Sequence, residues 1–140
     1  MVQTIKNLEN SIHKTNRWIN ELNKELDWDD KQAAYTALGG TLQIIRDMLT
    51  IEEATDFGSQ LPLILRGAYY SNWDPSNTPI DLDKSAFVSR VHSHLGNDPD
   101  VKPNETAQKV LDFLNKKITK GEIKDIKAQL PNDIQHFWET

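Results

Sequence analysis

Two segments of this chain, LTIEEATDFGSQLP (49–62) and ITKGEIKDIKAQLP (118–131), lie 69 residues apart and share more than their final tripeptide. The offset places Thr50 on Thr119, Glu53 on Glu122 and Asp56 on Asp125. It also aligns apolar positions: Trp18 with Phe87, Ile19 with Val88, Leu22 with Val91, Leu26 with Leu95, Leu42 with Leu111, Ile45 with Leu114, Leu49 with Ile118, Leu65 with Ile134 and Tyr69 with Trp138. No gap is needed over more than fifty positions. One repeated tripeptide can arise by chance, but matching caps and core positions in register point to an internal duplication.

The apolar spacing inside the repeat is helical. Ile5, Leu8, Ile12, Thr15, Ile19, Leu22 and Leu26 alternate steps of four and three, which predicts an amphipathic helix over about 4–27. Ala34, Tyr35, Leu38, Leu42, Ile45 and Leu49 predict a second over about 31–49, capped by Asp29 and interrupted by Gly39-Gly40. Thr50 and Thr119 each precede a glutamate by three, the spacing of a capping box in which the glutamate reaches back to the threonine N–H. Pro62 and Pro131 cannot continue these short helices and suit the first turn of new ones. Asp83 is placed to cap a helix carrying Phe87, Val88, Val91 and Leu95, and another helix is expected over about 104–118. No segment alternates as a strand does.

The expected architecture is therefore all-α: two tandem four-helix units packed as one helical bundle domain over residues 1–140. Unit one covers about 13–70 with an N-terminal helical extension, the linker 71–82, and unit two about 83–138. Leu63 and Ile64 in unit one face Asn132 and Asp133 in unit two, so the last helix of unit one is expected to be buried on more sides. The extension stripe Ile5, Leu8 and Ile12 is expected to rest on the second unit, with a dimer contact as the alternative. Gln60 and Gln129 are expected to tie off the chain ends beside them.

At 37% hydrophobic and 26% charged residues, the chain has the composition of a folded domain. It has no cysteine, which excludes disulfides and thiolate chemistry. Without an export signal or a long apolar run it is expected in the cytoplasm, with no membrane partner. A net charge of -5 with intermixed signs argues against nucleic acid. The basic run NKKITK (115–120) fits a helix C-terminus.

The segments KTNRWINEL, AAYTAL through IIRDMLTIEEATDFGSQLPLILRGAYYSNWDP, and ITKGEIKDIKAQLPNDIQHFW resemble the domain of unknown function 2267 family. That resemblance implies an all-helical bacterial domain and carries no assigned activity. It also leads one to expect stronger helix formers at Gly39-Gly40 and a glycine where Asn72 stands.

No catalytic constellation stands out. His92 and His94 are two apart on a helix, so they do not form the i,i+4 pair of a helical metal site, and His13 and His136 are isolated. No cofactor is expected, and an enzyme with a site assembled at the seam between the units is only the alternative. The favoured expectation is a non-catalytic module binding a protein or small ligand at that seam. Its candidate contacts are Arg66, Tyr69, Tyr70 and Trp73, because Arg and aromatic residues anchor interfaces and two of the four lie beyond the end of the second copy.

Overall fold

The computed structural model describes residues 5–96, 98 and 100–138. The chain forms α1 (Lys6–Glu25), α2 (Lys31–Asp47), α3 (Ile51–Gly58), α4 (Leu63–Tyr70), α5 (Lys84–Ser93), α6 (Pro103–Lys117), α7 (Lys120–Ala128) and α8 (Asn132–Trp138). A 3-10 turn at Pro75–Asn77 lies in the connection between α4 and α5, and no strand occurs among the described residues.

The caps follow the expected chemistry with two differences. Asp83 accepts from the Ala86 N–H at 2.8 Å. Asp30, not Asp29, caps α2, accepting from the Ala33 N–H at 3.0 Å. Here the cap sits one residue closer to the helix, where its carboxylate reaches the third amide. Thr50 and Thr119 each accept from the amide three residues on, at 3.3 Å. Neither glutamate reaches back to complete the box, because both threonine N–H groups are taken by the other half of the molecule, as described below.

α2 holds the centre, packing on α1, α4, α5 and α6. One connected core runs through both halves and includes every apolar pair aligned by the 69-residue offset, with Leu95 alone only partly buried. Close approach explains one of the two adjacent glycines. A Cβ at Gly40 would lie 2.7 Å from Cγ of His94, whereas Gly39 faces open space. The expected weak point of α2 is thus half packing requirement.

Two expectations about burial are corrected. α4 is not the more buried terminal helix: Leu63 and Ile64 are both exposed, as are their counterparts Asn132 and Asp133. The backbone position, not the residue type, decides that these sites face outward. The N-terminal stripe does not rest on the second half either. Ile5, Leu8 and Ile12 are 65%, 48% and 45% exposed. The first buried residue of α1 is Thr15, and its counterpart at the same offset is Lys84, the first residue of α5. α1 therefore overhangs its neighbours by the turns that α5 lacks.

Candidate functional site

The 66–73 cluster is brought together, and most of its polar capacity is already spent. Arg66 donates from Nε to the Gly58 carbonyl at 3.0 Å and from Nη2 to those of Ser59 at 3.2 Å and Leu61 at 3.0 Å. These carbonyls are at the exposed C-terminal end of α3, where a helix lacks intrahelical donors. At the equivalent position Gln135 donates to the Leu130 carbonyl at 2.7 Å. Arg66 and Gln135, and not Gln60 and Gln129, tie off the turns beside them.

Tyr69 is fully buried and donates its hydroxyl to the Ala54 carbonyl at 2.6 Å. Burial is the main cause pushing its ionisation far above the ordinary range. Trp138, its counterpart, is equally buried and donates to the Leu111 carbonyl at 2.9 Å. Tyr70 stacks edge-on against Tyr69 at 5.0 Å and tilts over Trp73 at 5.4 Å. Its ring also closes on α3, where a Cβ at Gly58 would lie 2.8 Å from Tyr70 Cζ. Trp73 is half-buried against the core, its Nε1 enclosed without an acceptor. Between them, Asn72 takes the left-handed conformation at φ 59°, where asparagine is one of the few substitutes for glycine.

Arg46 completes this corner, and nothing in the helical pattern marked it. Its guanidinium is buried and donates to the carbonyls of Tyr69 at 2.7 Å and Ser71 at 2.8 Å, while Nε pairs with Asp47 at 2.8 Å. The signal that could have found it is the offset: Asn115 stands at the equivalent place and cannot reach as far.

The halves meet where α2 packs on α5 and α6, where α1 packs on α6, and where α3 packs on α7, the part of the seam that carries the repeated caps. Gln60 accepts from the Thr119 N–H at 3.1 Å and donates to Thr119 Oγ1 at 3.1 Å. Gln129 accepts from the Thr50 N–H at 3.0 Å. Each glutamine of the repeated QLP thus caps the short helix of the other half. Glu53 on α3 and Glu122 on α7, equivalent by the offset, stand on these packed helices, each with one carboxyl oxygen enclosed without a donor, and the Glu53 carboxyl acts directly on that of Glu122.

Two clefts elsewhere bear on the choice of a binding surface. A cleft of about 310 Å³ is lined by Ile12, Thr15, Ile19, Lys31, Tyr35 and Ile64, so the exposed end of the α1 stripe and the exposed edge of α4 share one groove. A second cleft is acidic, with Asp27, Asp29, Asp30, Asp98 and Asp100 around Trp28 and Leu95. Among the described residues no group of three or more His, Asp or Glu side chains is arranged to hold a metal ion. The basic run at the end of α6 is tied to α1: Lys116 bonds Glu25 at 2.6 Å, and Lys117 bonds Glu21 while lying over the rings of Trp18 and Phe113.

The family described as uncharacterized conserved protein (DUF2267) matches residues 15–137, which span both halves. The chain belongs to this family. The DUF2267 match begins at Thr15, the first buried residue of α1, so the exposed stripe Ile5, Leu8 and Ile12 precedes it. No match was found among curated proteins. Among the described residues of this DUF2267 chain, no helix is long and apolar enough to cross a membrane.

Proposed function

We propose that this DUF2267 chain is a non-catalytic protein-interaction module, built as one domain from two copies of a four-helix unit related by an approximate twofold axis. Support for the duplication is the reciprocal capping by Gln60 and Gln129 together with the paired buried positions. Residues close to a twofold axis meet their own equivalents, as Glu53 and Glu122 do.

One observation carries the interaction reading. Ile5 at the start of α1, Leu8 and Ile12 on it, and Leu63 and Ile64 on α4 are large, apolar and exposed, and Ile12 and Ile64 line one groove. An apolar stripe at helical spacing beside such a groove suits a partner helix laying its own apolar face there. The partner surface is thus moved from the seam to the α1–α4 face, where the exposed large apolar side chains lie. Arg66, Tyr69, Tyr70 and Trp73 serve this reading by holding α4 in place.

Charge selects the kind of partner. Over Lys6–Arg17 the helix carries Lys6, Lys14 and Arg17 against Glu9 alone, in a chain whose net charge is -5. Lys31 also borders the groove. An antiparallel second copy that set Leu8 against Ile12 would also set Lys6 against Lys14, which is unfavourable. An acidic amphipathic helix is the better fit.

The test is fluorescence anisotropy with a labelled Leu/Glu heptad helix as the probe. Binding should weaken with salt and be lost in Leu8→Asp and Ile12→Asp variants that keep wild-type circular dichroism. Binding unchanged in those variants would sink the assignment. A wild-type dimer by light scattering that dissociates in Leu8→Asp would replace the acidic helix by a second copy.

The alternative, an enzyme with its site at the seam, draws on the Glu53–Glu122 pair. Neither carboxyl lines the clefts described above, so the interaction reading is preferred.

A further inference from the structure

The glutamate pair has a property that neither the fold nor the interaction reading uses. Glu53 is 9% exposed, and its Oε2 is enclosed with no hydrogen-bond donor. Glu122 Oε1 is enclosed in the same way. Two carboxylates cannot donate to each other, and two adjacent anions withdrawn from water repel strongly. A single proton on either carboxyl supplies the donor that the pair lacks.

Among the described residues, the charges that act most strongly on Glu122 are carboxylates. Asp56 on α3 and Asp125 on α7 add negative charge. From α4 comes the hydroxyl of Tyr69, which donates to Ala54. On α2, Arg46 is spent on Asp47 and the carbonyls that end α4. On α8, Asp133 accepts from the Lys84 N–H at 2.8 Å, and the His136 ring bonds the Asn132 carbonyl at 2.7 Å.

We propose that Glu53 and Glu122 form a one-proton binding site across the seam, a latch that holds α3 against α7 while the proton is shared and loosens when it leaves. Burial first, then the hydrogen bond and the charge of Glu53, push Glu122 from an ordinary value of 4.5 up to about 8. An acid raised in the folded state adds stability that is fully present below its unfolded value. That stability is lost as pH rises through the folded one. The window therefore runs from 4.5 to about 8, and the latch weakens toward its alkaline end.

The experiment compares thermal unfolding of the wild type and of Glu122→Gln and Glu53→Gln between about pH 5.5 and pH 9. A glutamine amide donates permanently to the remaining carboxylate, so each variant mimics the protonated pair. Subtracting variant from wild type removes titrations elsewhere, such as those of the histidines. Wild type and variants should melt together at the acid end, with the wild type falling about 3–6 °C below them at the alkaline end. Carboxyl carbon NMR should show one glutamate titrating well above the ordinary range. The proposal is overturned if the variants track the wild type at every pH, or if all glutamates titrate normally. It is also overturned if magnesium or calcium raises the wild-type melting temperature at alkaline pH but not that of Glu122→Gln. That result would assign the pair to a metal ion.

Discussion

At the end of α3 the carbonyls of Gly58, Ser59 and Leu61 are held by Arg66, whereas after α7 the Leu130 carbonyl is held by Gln135. At the ends of the halves, Tyr69 and Trp138 are different aromatics that do the same thing, filling the core and donating to a backbone carbonyl. Identity is relaxed wherever a second side chain can satisfy the same backbone group. It is kept where α3 meets α7, in Thr50 and Thr119, Gln60 and Gln129, Glu53 and Glu122. The halves diverge without compensation on one face: α1 extends beyond anything α5 possesses, and Leu63 and Ile64 stand where α8 has Asn132 and Asp133. Side chains that the construction does not require are the ones open to a partner.

The comparison breaks most severely at the aromatic pair. Tyr69→Ala and Trp138→Ala should each cost about 3–5 kcal/mol in urea unfolding, since both rings are fully enclosed. A large loss in one half only would mean that the halves are not equivalent cores. Next in size is Gly58→Ala, whose new Cβ would meet Tyr70; a loss of about 1–3 kcal/mol is expected. Adding Tyr70→Ala should recover part of it, and no recovery would show that the strain lies elsewhere. Its counterpart at the same offset, Lys127, already carries a Cβ.

The reciprocal caps come third. Gln60→Ala removes two cross-half bonds and Gln129→Ala one, for expected losses of about 1–2 and about 0.5–1 kcal/mol. Equal thermal midpoints for wild type and both variants would empty the seam of its proposed role. Smaller again is Arg66→Gln, which installs the solution used by the second half and should cost under about 1 kcal/mol, against about 1–2 for Arg66→Ala. If glutamine is no better than alanine in denaturant unfolding, the two positions do different work.

Much of this arrangement is legible in the chain itself. Helical spacing, the threonine caps and the prolines immediately before α4 and α8 mark the elements to within a few residues. The 69-residue offset names the paired core positions. Spacing places a residue on a helix face but does not say which second helix covers it. For that reason Gln60 and Gln129 read as local ties, and the stripe Ile5, Leu8 and Ile12 reads as packed. Leu63 and Ile64 are exposed for a related reason: apolar character alone does not imply burial, and exposed large apolar residues are common at interaction surfaces. Of the four proposed contacts, Tyr69 matched Trp138 and so announced a core role. Arg66 gave no such sign, because guanidinium and amide look unlike until both are seen on the same carbonyl.

The most direct test of this account is the thermal unfolding of a Leu8→Asp, Ile12→Asp double variant. An α1 stripe as exposed as Leu8 and Ile12 are predicts a melting temperature within about 2 °C of wild type, as expected for exposed substitutions. A fall of about 8 °C or more would show that the stripe is packed within the fold, and would leave the proposed partner face without its surface.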